Sequence, residues 1–333
     1  MQSLRLSVIS FTEKGAKLAE KIKGLSKEQQ LPYEIHTYSG RNQAGNLNAW
    51  TKEQFSFRNA ILFIGACGIA VRTIAPFLKD KLTDSPVLVV DEAGNYIIPL
   101  LSGHVGGANE IALQLAELLG AVPVITTATD INNAFAIDVF AKKHDLSIDQ
   151  KEGIKKVSAK VLEKKKLSMA IAPEYAAKVD VAIGTPEDGQ KSEALLTLIP
   201  KEYILGIGCR RDKEEQELKA FAESCLKEAG VDWKQIRAIA SIDKKKDEKA
   251  ILKLAAEHGI PFLVFDAETL NQVPGTFDAS AFVASQVGVD NVCERAAIAA
   301  CRDNGRLVLK KRAENGMTLA IAKEDWRLTL YEE

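Results

Sequence analysis

Short β-rich runs alternate with amphipathic stretches along most of this chain, the pattern of sheets layered between helices. Leu6–Ser10 reads as a strand; after Phe11-Thr-Glu-Lys-Gly15, the residues Ala16, Leu18, Ala19 and Ile22 mark the apolar side of a helix. Tyr33–Tyr38 and Asn59–Ile64 read as further strands, and Gly65-Ala-Cys-Gly68 turns the chain into a helix carrying Ile69, Ile74 and Phe77. Val87–Val90 and Tyr96–Leu101 form an expected hairpin across Asp91-Glu-Ala-Gly-Asn95. The glycine-rich run Ser102–Gly107 leads into a helix over Ala108–Leu119, stopped by Gly120, and Val122–Thr126 is the next expected strand.

Beyond Asp130 the pattern changes. Residues 137–200 are Lys-rich, with a helix around Ile154–Glu163 and short strands at Ser168–Ile171, Asp180–Ile183 and Leu195–Ile199. A third stretch opens with strand Tyr203–Gly206, the loop Gly206-Ile-Gly-Cys-Arg-Arg211 and a helix over Lys213–Ala229. Strands at Ile236–Ser241 and Phe262–Phe265, helices near Glu248–His258 and Val292–Ala300, and a hairpin turned by Glu314-Asn-Gly316 complete it. The expected fold class is multi-domain α/β, with layered sheets flanked by helices. An N-terminal α/β domain (1–135) and a C-terminal α/β domain (201–333) are joined by a small middle α/β domain (136–200).

The composition of the 333 residues, 46% apolar and 27% charged with a formal net charge of −1, is that of a globular protein. It lacks the basic excess of a nucleic-acid or anionic-membrane binder, so neither partner is expected. The longest apolar run, Ile61–Val71, is too short to span a bilayer and is broken by Gly65 and Gly68. The start, Met1-Gln-Ser-Leu-Arg5, passes straight into a strand-like run, so no signal peptide is expected. Cys67, Cys209, Cys225, Cys293 and Cys301 are odd in number and never spaced Cys-x-x-Cys. We expect free thiols in a reducing cytoplasm, with neither a disulfide framework nor a protein metal site.

Three loops share one layout of strand, glycines and helix start: Gly65–Gly68, Ser102–Asn109 and Gly206–Arg211. Bare backbone N–H groups at a helix start attract carboxylates or phosphates. None matches a phosphate-loop or dinucleotide fingerprint, which argues against a nucleotide enzyme, and each alone is also explained as an ordinary strand–helix turn. The first loop offers Gly65, Gly68 and Arg72 as binding residues, with Lys79 and Lys81 nearby. The second offers Ser102, Gly103, Gly106, Gly107 and Asn109, and the third Gly208, Arg210 and Arg211, arginine forks being suited to carboxylates.

His104 is the leading catalytic candidate, an imidazole in a polar loop that titrates near neutrality; the alternative is a helix cap. Glu110 is the second catalytic candidate, although a carboxylate in a first helical turn is favoured by the dipole alone, and Asn109 reads as a possible N-cap. Cys67 at a helix start could act as a nucleophile, but a small residue in a tight turn explains it better. His36, His144 and His258 read as structural. Lys244–Lys249 reads as a solvated helix start capped by Asp243, and Glu294 as half of a capping box with Asn291.

Longer runs carry a resemblance. Gly65-Ala-Cys-Gly-Ile-Ala-Val-Arg-Thr-Ile-Ala-Pro76, Asp91-Glu-Ala-Gly94, Pro99-Leu-Leu-Ser-Gly-His-Val-Gly-Gly-Ala-Asn-Glu110 and Pro123–Asp130 are similar to one signature region of the CbiG family. Gly206–Arg211, Ala240-Ser-Ile-Asp243 with Lys245, Asp247 and Glu248, Gly288–Glu294 and Thr318–Ile321 resemble the second. These are the cobalt-precorrin-5A hydrolases of anaerobic cobalamin biosynthesis. The resemblance implies opening of the substrate's δ-lactone and release of acetaldehyde to give cobalt-precorrin-5B. It implies a cobalt-corrinoid substrate ringed by acetates and propionates, with the cobalt carried inside the substrate and no cofactor bound by the protein. Transient contact with neighbouring cobalamin-pathway enzymes is a further expectation. The competing reading is a non-catalytic protein that binds and hands on corrinoid intermediates.

Overall fold

Strands that are apolar at every position need cover on both faces. The computed structural model describes residues 4–40, 47–80, 83–103, 106–126, 135–171, 179–185 and 193–328. The chain divides into two compact units, Met1–Ala134 and Phe135–Glu333.

The first unit holds a six-stranded sheet of β1 (Leu4–Ser10), β2 (Tyr33–Ser39), β3 (Ala60–Ile64), β4 (Val87–Val90), β5 (Tyr96–Leu101) and β6 (Val122–Pro123). Its order is β2-β1-β3-β4-β5-β6. Helices α1 (Glu13–Glu28), α2 (Leu47–Ser56), α3 (Cys67–Ile74) and α4 (Ala108–Leu119) cover it. Side chains alternate between faces along each strand. Leu62, Ile64, Leu88 and Val90 therefore pack with α1 and α4 through Leu18, Ile22, Ile111 and Leu115. Their neighbours Ile61, Phe63, Val87 and Val89 pack with Trp50 of α2 and with Ala70 and Ile74 of α3. The pairs β1–β2, β1–β3 and β3–β4 are parallel, while β5 runs antiparallel to β4 as the hairpin expectation required. The last expected strand, Val122–Thr126, is shorter, Val122–Pro123, with the Val124 N–H still donating to the Ile97 carbonyl at 2.8 Å.

The second unit holds two sheets. β7 (Leu146–Ile148), β8 (Met169–Ile171), β9 (Val181–Ile183) and β10 (Leu196–Pro200) pair in the order β7-β10-β9-β8, with α5 (Ile137–Lys143) and α6 (Lys151–Leu162) beside them. β11 (Tyr203–Cys209), β12 (Ile236–Ile242), β13 (Phe262–Phe265), β14 (Arg306–Glu314) and β15 (Met317–Lys323) pair as β13-β12-β11-β15-β14. One face of this second sheet packs α7 (Glu215–Ala229) and α8 (Lys249–His258). After α9 (Ala267–Gln272) and α10 (Ala281–Val287) comes α11 (Val292–Ala299), which lies against the other face with α9. Lys234 Nζ to Asp149 Oδ1 at 2.7 Å and Trp326 Nε1 to the His144 carbonyl at 2.9 Å tie the two sheets together. No helix among the described residues is long and apolar enough to cross a membrane.

Three expectations change here. Gly206–Cys209 is not a loop before a helix, since β11 runs through it and pairs with β15 as far as Cys209–Met317. Its glycine is there for packing: a Cβ on Gly206 would stand 1.8 Å from the Cys293 carbonyl oxygen of α11. Asp243 does not cap α8, because it opens a separate turn of 3-10 helix and α8 begins only at Lys249. Asn109 does not cap α4 either; Gly107, at φ 89°, stands at that position.

Under the second sheet Arg237 and Glu324 form a buried pair, 6% and 4% exposed. Arg237 also donates to the Ala300 carbonyl, and Glu324 accepts from the Arg302 N–H at 2.8 Å. Removing one member strands the other charge, so Arg237→Ala should lower unfolding free energy by about 3–5 kcal/mol in a urea titration. Gly206→Ala should cost at least about 1–3 kcal/mol by forcing α11 off β11. Gly24→Ala, in α1 with nothing within 4 Å of the new methyl, should instead stabilise by about 0.5–1 kcal/mol.

Candidate functional site

The first glycine loop stands at the carboxyl ends of the parallel strands. β2 lies on one side of β1 and β3 on the other, and the helices that follow β1 and β3 cover opposite faces. That makes the β1–β3 crevice the topological switch point, where ligands of open α/β sheets gather. Thr12 caps α1 by accepting from the Gly15 N–H at 3.0 Å, and donates its own proton to Glu92 Oε1 at 2.6 Å. Gly65, at φ 152°, donates its N–H to the Val90 carbonyl, and Phe11 lies over it and over Gly40. The N-cap of α3, Ala66, supplies no side-chain bond. Arg72 folds back along α3 to donate from Nη1 to the Gly68 carbonyl at 3.1 Å, where the missing Cβ leaves room. Gly65, Gly68 and Arg72 thus meet at one helix start.

The second loop lies at the other edge. β5 runs against β4, with Leu101 beside Val87, so Ser102 emerges where the parallel strands begin. Four to five strand residues separate the two loops, roughly 15 Å at about 3.3 Å per residue. Ser102 adopts φ 55° and donates its hydroxyl to the Asp84 carbonyl at 2.9 Å. The Asp84 carboxylate accepts from the Lys79 and Asp80 N–H groups, at 3.0 and 3.2 Å, which fixes that carbonyl in place. The arch closes on itself: the Ala108 N–H donates to the Ser102 carbonyl at 3.1 Å and the Asn109 N–H to the Gly103 carbonyl at 3.0 Å. The Asn109 amide, 8% exposed, presses on Gly103, and any Cβ on Gly106 would strike Ser102. Ser102, Gly103, Gly106, Gly107 and Asn109 are therefore one packed unit. His104, the leading catalytic candidate, lies outside the described residues, as do Lys81 and the final residues of the Pro123–Asp130 run.

Glu110 is exposed, and its Oε1 accepts a long 3.5 Å bond from Gln114, which in turn accepts from the Tyr33 hydroxyl. Burial, reinforced by the Glu110 charge, pushes the Tyr33 phenol up to about 12.

In the second unit Gly208 lies within β11, with its carbonyl accepting from the Thr318 hydroxyl at 3.3 Å. Arg210 and Arg211 follow, both exposed, and Arg210 drapes its stem across Gly316 of the β14–β15 turn. Sequence reasoning missed Lys245 and Glu248, which it took for a solvated face. They form an ion pair at 3.0 Å with side chains 17% and 5% exposed. The usable signal was their three-residue spacing beside the Ala240–Asp243 run. Asn291 caps α11 as expected, accepting from the Glu294 N–H. Glu294, 1% exposed, takes the Asn291 side-chain amide rather than its backbone N–H, with the Lys311 and Asp278 N–H groups, so the box is not closed and its role is structural.

All five cysteines are unbridged. Burial pushes the thiols of Cys209 and Cys225 up to about 11 and those of Cys293 and Cys301 up to about 12, which leaves them protonated near neutrality. Among the described residues no group of three His, Cys, Asp or Glu could hold a metal ion.

Comparison with known proteins adds the family. Residues 49–130 match the model described as cobalamin synthesis G N-terminal, and residues 203–322 the one described as cobalamin synthesis G C-terminus. The cobalt-precorrin-5A hydrolase of Salmonella typhimurium is 34% identical over 294 residues, 81% of this chain and 83% of its own. That of Priestia megaterium is 27% identical and covers 95% of this chain and 94% of its own. A solved cobalamin biosynthesis protein G homologue from Sulfolobus solfataricus covers 97% of this chain and 99% of its own, at 25% identity and a TM-score of 0.43. With both family halves present in order and a relative matched over most of its length, the chain belongs to the cobalamin synthesis G (CbiG) family.

Proposed function

We propose that this protein is a cobalt-precorrin-5A hydrolase of anaerobic cobalamin biosynthesis. The observation that carries the reading is the pair of family halves in one chain, matched over most of its length by relatives that bear that name. The substrate is a cobalt-bearing macrocycle with peripheral carboxylates, so the metal arrives with the substrate. Five unbridged thiols fit a reducing cytoplasm.

Water adds to the lactone carbonyl, and the ring C–O bond breaks to leave a carboxylate and an alcohol. The alcohol then gives up its proton, and its carbon parts from the macrocycle as acetaldehyde. The bonding pair passes to the conjugated ring, which a proton later quenches. We assign the general base to His104 on its sequence context. The α4 start keeps its Ala108 and Asn109 N–H groups for the arch's own carbonyls, so the oxyanion falls to the N–H groups of Gly106 and Gly107. Asp84 positions the arch by holding the Ser102 hydroxyl.

The test is anaerobic incubation with cobalt-precorrin-5A while trapping acetaldehyde. Wild type should release it, and His104→Ala should slow release by about 10²–10⁴-fold with binding retained. Binding without acetaldehyde, even from wild type, would overturn the hydrolase reading in favour of a carrier. Ser102→Ala, which frees the arch from Asp84, should lower kcat more than it raises KM.

A further inference from the structure

The second unit pairs almost every arginine it has. Of its eight, Arg237 bonds Glu324, Arg295 Asp290, Arg302 Asp145, Arg306 Asp325, Arg312 Glu228 and Arg327 Asp303. Arg210 and Arg211 are the remaining two, and neither has a carboxylate within ion-pair distance among the described residues. They are adjacent and exposed, and they stand where β11 ends.

Their place in the sheet has a meaning. β11, β12 and β13 are parallel, so their carboxyl ends share one edge, and the antiparallel β15 brings the Asn315–Gly316 turn to the same edge. This is the edge of an open α/β sheet on which ligands bind. Arg210 is fixed there, with its N–H on the Gly316 carbonyl at 3.0 Å and its stem against the bare Gly316 backbone. Lys213 is fixed as well, 16% exposed, with Nζ on the Asn315 carbonyl at 2.9 Å and on Glu217 at 2.7 Å.

Lys245 approaches from β12. Glu248 holds its ammonium at 3.0 Å in a place where both side chains are largely removed from water. A lysine and a glutamate kept out of solvent cost stability unless well compensated, so such a pair calls for a reason beyond the fold. β12 lies parallel to β11 with Ala240 beside Gly206, so the Asp243–Lys245 turn that follows β12 opens at the same sheet edge as Arg210.

We infer that this edge is a carboxylate-binding site in which Arg210 and Arg211 receive the ligand and Lys245, oriented by Glu248, supplies a third cation. The ligand class is a cobalt corrinoid with ionised acetate and propionate groups, an assignment that rests on the function proposed above. Forked guanidiniums match the two oxygens of a carboxylate, and a lysine held by a single glutamate retains N–H protons for another.

The experiment titrates the full-length protein with cobyrinic acid, a cobalt corrin with free peripheral carboxylates, and with its methyl ester. R210A/R211A and K245M are compared with wild type, and R312A, which removes an exposed arginine elsewhere in the unit, is the control. The acid should bind wild type and R312A alike, weaken with salt, and lose about tenfold or more in affinity in R210A/R211A and in K245M. The ester should bind weakly and ignore all three changes. Arg210 and Arg211 are exposed, so R210A/R211A decides the matter even where K245M fails to fold. Unchanged acid affinity in R210A/R211A, or an ester that binds like the acid, would overturn the site. Acetaldehyde release by wild type is read separately: without it, charge-dependent binding upholds the site while the hydrolase reading falls.

Discussion

The antiparallel pairing of β5 on β4 decides where the glycine loops of the first unit stand. In a fully parallel sheet every strand–loop–helix junction would open at one edge, and the two glycine loops would face a ligand together. The Asp91–Asn95 turn prevents this. Burial works against the Asp91 charge, yet N–H groups of Tyr96, Ala93 and Asn95 outweigh it and hold the carboxyl below its usual range. With the turn fixed, Val87 lies beside Leu101 and the Ser102 arch must leave at the strands' starting edge. There it finds Asp84, and the arch takes its shape from that contact. One hairpin thus separates two loops that look equivalent as sequence.

Close approach does comparable work in the second unit. The Cys293 carbonyl sits where a Gly206 side chain would be, so α11 can lie directly on β11. Its N-cap, Asn291, is consequently buried, and a buried amide needs partners. Glu294 supplies one and is itself satisfied by the Lys311 and Asp278 N–H groups, which binds β14 and the segment before α10 to the helix. Glycine in β11 therefore serves cohesion, and the chain leaves the sheet only at Arg210.

Periodicity made the layers legible. Runs such as Ile61–Ile64 and Val87–Val90 are apolar throughout because both faces are covered, and Asp91–Asn95 announced the hairpin. The Ser102–Asn109 run read as a glycine-rich loop before a helix, and the bonds that close it onto its own carbonyls came only with the structure. What the sequence could not display was direction and depth. Gly206-Ile-Gly-Cys209 has the composition of a turn, and only the pairing partner β15 makes it a strand. Lys244–Lys249 has the composition of a solvated face, yet the turn at Asp243–Lys245 rotates Lys245 inward while Lys244 and Lys246 stay exposed. Asn109 looked like a cap because its type favours caps, but the Ser102 and Gly103 carbonyls already serve the α4 start, and its amide is used against Gly103.

Four thiols and two hydroxyls can be weighed as nucleophiles against the burial and contacts that hold them. The four thiols are raised well above neutrality by burial, and at Cys209 burial outweighs the lowering pull of Lys245 and Lys213. Ser102 has committed its proton to the Asp84 carbonyl, and a hydroxyl bonded to a peptide oxygen has no base to activate it. Thr12 is committed likewise, accepting from Gly15 and donating to Glu92. Covalent catalysis from any of these would require breaking a contact that shapes its own loop. Activated water asks for no such sacrifice: it needs a base near neutrality and fixed N–H donors, and an arch held by Asp84 presents its glycine backbone without rearrangement. For these six groups the contacts weigh against an acyl-enzyme, and the water route proposed above asks none of them to move.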